Sequence, residues 1–168
     1  GADRVMTMDL HAGQIQGFFD IPVDHLDSLV IFIPYIKSLE VENLVLAAPD
    51  VGATKRVREF AKVLNCDMVI CDKERKRANE VASMVVIGDV KGKNVVLVDD
   101  ICDTANTLAK AAQLLMDQGA QSVRAVCTHP VLSGKAYETI ENSALTELVV
   151  SDTIPLKKEM PKIKALSV

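Results

Sequence analysis

Apolar runs and helix-spaced stretches alternate along the chain. Nearly continuous runs of aliphatic and β-branched residues at 5–8, 44–47, 68–71, 95–98, 123–127 and 147–150 predict six strands. Runs that are apolar at almost every position suit strands covered on both faces, as in a parallel sheet. Between them the period changes. Residues 54–64 set Val57, Phe60, Ala61 and Leu64 at three-and-four spacing, and 107–118 do the same with Leu108, Ala111, Ala112 and Leu115 before a stop at Gly119. A shorter helix is predicted over 135–141. Another is predicted over 26–38, with Pro34 bending it or marking its first turn. The expected architecture is α/β, a mostly parallel sheet flanked by helices. Two stretches break the rhythm. Residues 72–83 are the most polar and read as a mobile loop or a solvated hairpin. After Thr153 the chain is basic and irregular, with Pro155 and Pro161, until a last apolar run over 163–168.

Composition narrows the function classes. The 168 residues are 49% hydrophobic and 25% charged, enough for one domain with a working core. The net charge of −4 and an aromatic content of 4% without Trp argue against nucleic acid as a partner. No apolar run approaches the ~20 residues of a membrane span, so no membrane partner is expected. Cys66, Cys71, Cys102 and Cys127 form neither a C-x-x-C pair nor a zinc pattern, and are expected as reduced thiols of a cytoplasmic protein. The chain starts at Gly1 and enters an apolar segment almost at once, which reads as a piece of a longer protein.

The sharpest chemical signal is the strand 95–98 running into Asp99-Asp100-Ile101-Cys102-Asp103-Thr104-Ala105-Asn106-Thr107 and then a helix. Ligands of open α/β sheets bind at the carboxyl ends of strands. A loop feeding a helix start offers backbone N–H groups and a positive dipole end to a phosphate, and Thr104 and Thr107 add hydroxyl donors. Asp99 and Asp100 cannot hold phosphate directly; they suit sugar hydroxyls or a metal ion. Asp103 or Thr104 could instead simply cap the helix. Three acids and two threonines within nine residues tilt the reading toward a site.

This stretch resembles the phosphoribosyl-binding loop of type I phosphoribosyltransferases, whose Thr-Gly-Gly-Thr-like turn is Thr104-Ala105-Asn106-Thr107 here. Asn106 replaces a usual Gly; Asn tolerates positive φ better than most residues, so the loop is expected to survive the change. A second segment is longer: Asp9-Leu10-His11, Gln14-Ile15-Gln16-Gly17-Phe18-Phe19-Asp20, then Pro22-Val23-Asp24. Together with Pro49-Asp50-Val51-Gly52-Ala53 and the basic run from Lys73 through Arg75 to Val81, it resembles ribose-phosphate diphosphokinase. That resemblance implies divalent-metal positions at Asp9, His11, Asp20 and Asp24, with Asp50 at a second magnesium near the ribose. It implies that Lys73 and Arg75 carry the catalysis and that Asp99, Asp100, Asp103, Thr104, Ala105, Asn106 and Thr107 hold ribose 5-phosphate. The implied reaction moves diphosphate from ATP to ribose 5-phosphate with Mg2+, in a homo-oligomer that is a hexamer in the full-length family. It further implies that residues 1–24 are the end of a first domain and 25–168 a second, phosphoribosyltransferase-like one. Two other readings stay open on the residues: a nucleobase phosphoribosyltransferase, and a catalytically silent regulatory relative that binds the synthetase.

Overall fold

The computed structural model describes residues 1–74 and 83–168. Two sheets are present among them. Strands β1 (Val5–Met8) and β2 (Val23–Leu26) pair in parallel as a small unit, joined through a 3-10 turn at Gly13–Phe18. The main sheet has seven strands: β3 (Leu44–Ala48), β4 (Asp67–Glu74), β5 (Ser83–Ile87), β6 (Asn94–Cys102), β7 (Ser122–Pro130), β8 (Glu147–Ser151) and β9 (Ile163–Leu166). Their spatial order is β5-β4-β3-β6-β7-β8-β9, and every pairing is parallel except β4 with β5.

Alternation along the strands divides the core. In β3 and β6, Val45, Ala47, Val95 and Leu97 face one layer with Leu108, Ala111 and Leu115 of α3 (Asn106–Asp117) and Ile140 of α4 (Ala136–Glu141). Leu46, Ala48, Val96 and Val98 face the other, with Phe32 and Ile36 of α1 (Leu29–Ser38) and Val57 and Phe60 of α2 (Thr54–Leu64). Burial on both faces explains the unbroken apolar runs. From β3 the chain crosses by α2 to β4 on one side; from β6 it crosses by α3 to β7 on the other. The boundary between β3 and β6 is therefore the point where the winding reverses, and a crevice opens there at the strands' carboxyl ends.

The expected α/β layering stands, with differences at the margins. Strands β2, β5 and β9 were not anticipated. Each is only four or five residues long, and β5 and β9 are the sheet's edges. Strands β4 and β5 pair antiparallel; most of the polar stretch, for which a mobile loop or a solvated hairpin is expected, lies outside the described residues. Because Leu26 belongs to β2, α1 begins at Leu29 instead of residue 26, and Pro34 lies in its interior, not its first turn. No helix among the described residues is long and apolar enough to cross a membrane. Cys71, Cys102 and Cys127 are buried, Cys66 half-buried, and all four are free thiols.

The first 26 residues add only one buried side chain, and it is Asp9; Met6, Ile15, Phe18, Phe19 and Leu26 lie exposed. The link after β5 is tighter. Gly88 has φ +119, and a Cβ there would stand 2.5 Å from Cγ1 of Val69, a nearly solvent-free residue of β4. Gly88→Ala is expected to destabilise by about 2 kcal/mol or more, from backbone strain and the clash together, visible as a lower urea midpoint with unchanged slope.

Candidate functional site

Buried strand β6 carries its acids to the crevice. Val95 to Val98 are solvent-free, which fixes the register, so Asp99 and Asp100 emerge at the carboxyl end beside β3. Across from them, Asp50 follows β3 and caps a 3-10 turn, its Oδ1 accepting from the Ala53 amide at 3.2 Å. The Asp100 amide donates to Oδ1 of Asp99 at 3.0 Å. Burial pushes the Asp99 carboxyl up to about 7; that amide works against the shift, and the nearby charges of Asp100 and Asp50 add to it.

The segment after β1 closes the crevice. His11 Nδ1 lies 2.8 Å from Oδ2 of Asp100, and its ring is otherwise largely exposed. Asp9, two residues earlier, turns inward in the left-handed region at φ +42. Its Oδ1 accepts from the Ser28 amide at 3.2 Å; its Oδ2 accepts from the hydroxyls of Ser28 and Thr128 and lies 2.8 Å from NH1 of Arg56. Burial works against this charge, but those hydroxyls, Arg56 and the amide overcome it and hold the carboxyl below the usual range. Ser28 is the residue before α1 yet spends its hydroxyl on Asp9; Asp27 instead accepts from the Leu29 amide at 2.8 Å.

Two clefts meet at this wall. One, about 310 Å³, runs along the loop from Ile101 to Leu108. The other, about 440 Å³, is bounded by Gln14, His25, Lys55 and Arg56. Both include His11, Asp50, Asp99 and Asp100. A larger hollow of about 1090 Å³ lies at the opposite end of the sheet, near Cys66 and Lys93, away from these acids.

The loop itself departs from the expectation in one respect. The positive φ falls on Ala105, at +62, while Asn106 is the first helical residue of α3 and is exposed. Nor do Asp103 and Thr104 cap the helix. Asp103 accepts from the Ser133 hydroxyl, Thr104 accepts from the Asn106 side-chain amide at 3.1 Å, and the N-cap residue is Ala105, whose methyl cannot cap. The helix start lines the smaller cleft and carries no side-chain cap.

The structure thus brings together His11, Asp50, Asp99, Asp100 and the loop from Asp103 to Thr107. It does not bring Asp9, Asp20 or Asp24 to the same place as open ligands. Asp9 lines the larger of the two clefts, but its carboxylate is taken up by Ser28, Thr128 and Arg56. Asp24 pairs with Arg4 across β1 and β2, which lowers its carboxyl, and neither Asp24 nor the exposed Asp20 lines either cleft. Lys73 belongs to β4, and Arg75 lies outside the described residues. Arg56, Ser28 and Thr128 were not anticipated; Arg56 stands in the first turn of the helix that follows the Asp50 turn, where its charge alone does not mark it.

Among the described residues no three His, Cys, Asp or Glu side chains converge closely enough to hold a metal alone. Asp50, Asp99 and Asp100 offer the oxygen donors that magnesium takes one or two at a time, its remaining positions being filled by phosphate oxygens and water. The acid-rich wall, with Asp99 so short of compensating charge that burial and its neighbours raise it, suits such an ion.

Known proteins show the same arrangement of chain. Residues 76–168 match the family model described as phosphoribosyl synthetase-associated domain. Over its full length the chain is 59% identical to a ribose-phosphate pyrophosphokinase of Campylobacter jejuni and 60% identical to one of Wolinella succinogenes, covering 54% of each. It therefore spans about half the length of these curated relatives. A crystal structure of phosphoribosylpyrophosphate synthetase from Mycobacterium smegmatis matches 99% of this chain and 55% of its own, with TM-score 0.92 and 37% identity. A purine phosphoribosyltransferase from Pyrococcus horikoshii shares the fold, with TM-score 0.53 at 16% identity over 99% of this chain and 89% of its own. With more than half of its residues inside the matched model, this chain belongs to the phosphoribosyl synthetase-associated domain family.

Proposed function

We propose that this chain holds ribose 5-phosphate for a ribose-phosphate pyrophosphokinase, the reaction that moves the terminal diphosphate of ATP to the sugar's anomeric hydroxyl and releases AMP. One observation carries the reading: two adjoining clefts share His11, Asp50, Asp99 and Asp100 as a common wall. A sugar phosphate lying in the smaller cleft, with its phosphate at the loop from Asp103 to Thr107, extends its ring toward that wall. A triphosphate fits the other cleft, beside Lys55 and Arg56. The reacting atoms then meet at the wall.

Each residue has a task that its chemistry permits. The start of α3 and the hydroxyl of Thr104 donate to the 5-phosphate. Asp99 and Asp100, as acceptors, bind and orient the ribose hydroxyls. Asp50 and His11 would hold magnesium, which would supply neutralisation of the phosphate charge. Lys73 and Arg75, by the resemblance, steady the charge on the diphosphate as the anomeric oxygen attacks the β-phosphorus and the bond to the α-phosphate oxygen breaks. In-line transfer asks for positioning and charge stabilisation more than for a covalent residue, and this site is built of such groups.

The test is titration calorimetry of the chain with ribose 5-phosphate and Mg2+. Binding is expected with ribose 5-phosphate and not with ribose. Asn106→Asp places an anion at the exposed first position of α3, where Asp favours the helix yet repels phosphate. That variant is expected to keep its melting temperature and to bind ribose 5-phosphate at least ~10-fold more weakly. Equal binding by the variant would place the phosphate elsewhere.

A further inference from the structure

We infer that Arg56 is a positioning residue, which ties the Asp9–His11 segment to the acid wall so that His11 is held through Nδ1 and presents Nε2 to the clefts. The inference rests on the proposed function for its purpose, though not for its geometry. Arg56 spans two carboxylates on different parts of the fold. Its NH1 lies 2.8 Å from Asp9, in the segment after β1, and its NH2 lies 3.5 Å from Asp100, at the end of β6. The fork is half-buried, while Asp9 and Asp100 are buried. A planar guanidinium can address two acceptors at once in fixed directions; an ammonium is a single point charge and cannot hold the same pair in place.

The acids it fixes determine how His11 stands. Oδ2 of Asp100, the oxygen that Arg56 approaches, is also the one that lies 2.8 Å from Nδ1 of His11. An ionised carboxylate only accepts, so Nδ1 must carry the proton. In a neutral imidazole this leaves Nε2 with a free lone pair, a ligand for a cation or an acceptor for a hydroxyl. The chain supplies its own contrast. His129 Nε2 lies 2.9 Å from the carbonyl oxygen of Met8, which can only accept, so His129 carries its proton on Nε2. Its Nδ1 lies 2.9 Å from the Thr153 oxygen. The two histidines on either side of the β1 terminus are thus set in opposite tautomers by their partners.

Long-range 1H–15N spectra of the ligand-free chain, at about pH 8.5 where imidazoles are neutral, test this. His11 is assigned by His11→Gln. In the wild type, His11 is expected mainly protonated on Nδ1 and His129 on Nε2. Asp100→Ala is expected to shift the His11 ratio toward Nε2–H by roughly tenfold, the loss of one charge-assisted hydrogen bond. Arg56→Lys, which keeps the charge that Asp9 needs, is expected to shift it the same way while His129 and the melting temperature stay near wild type. His11 found on Nε2–H in the wild type would overturn the inference. So would an unchanged His11 in Arg56→Lys. Because no ligand is present, a failure here leaves the ribose 5-phosphate titration unaffected, and a failure of that titration leaves these tautomers unaffected.

Discussion

Arg56→Met is expected to melt about 10 °C below the wild-type protein. Asp9 is 3% exposed, and Arg56 is the one cation among the described residues that faces it. Methionine fills the space of the side chain without its charge, leaving a carboxylate in the interior with only hydroxyls and an amide to stabilise it. Breaking a buried pair from one side costs about 3–5 kcal/mol, because the remaining charge is uncompensated. For a chain of this size each kcal/mol moves Tm by roughly 2–4 °C. Asp9→Asn combined with Arg56→Met removes both charges and is expected to recover at least half of the loss, since an amide still accepts from the Ser28 backbone. Thermal melts of the two single variants and the double variant give the coupling directly. A drop of a degree or two in Arg56→Met would show that Ser28 and Thr128 suffice for Asp9.

Asp99→Asn moves in the opposite sense: a more stable protein that binds less. The ionised Asp99 is disfavoured in the folded state by burial and by its acidic neighbours, and its folded value is raised from 3.8 to about 7. The sign follows from linkage. Between those two values the folded chain binds more protons than the unfolded one, so stability falls as pH rises through that window. The cost is absent below about pH 4 and complete above about pH 7. An amide carries none of it. At pH 8 the variant is expected to gain about 1–2 kcal/mol, less than the full shift because the carboxyl is partly open to solvent. That corresponds to ~2–8 °C in Tm. At pH 4 the two proteins should melt together. Ribose 5-phosphate affinity should fall by about tenfold or more, as one acceptor for the sugar or its cation is lost. Melts at the two pH values and one calorimetric titration check all three parts. A variant less stable than wild type at pH 8 would mean that Asp99 is better compensated than its surroundings indicate.

The sheet's interior was legible because it is covered on both sides: Leu44 to Ala48 and Val95 to Val98 had no polar position to confuse the period. Helices α2 and α3 were legible from one apolar stripe each. Short edge elements were not. In β2, Val-Asp-His-Leu mixes polar and apolar residues over four positions, too few for a period to show. For the site, Asp50 and the run from Asp99 to Thr107 could be read because strand end, acids and helix start lie together in sequence. Arg56 could not. On an amphipathic helix a charged residue reads as solvent-facing, and its partners Asp9 and Asp100 are distant in sequence and meet it only through the topology. Ala105 was missed for a different reason. Residue preference points to Asn for a left-handed backbone, but the turn needed that conformation one position earlier, where a small buried side chain packs in the core.

The β1–β2 unit that brings His11 to the wall is fastened by polar contacts around a single interior acid. A pair this deeply buried is little screened by salt, and the loss of either partner is felt beyond the unit itself. Its seat reaches into the body, since Arg56 stands on α2 and Thr128 on β7. The seating of the histidine and the integrity of the body are then linked quantities in this molecule, and a change that unseats the one should register in the melting of the other.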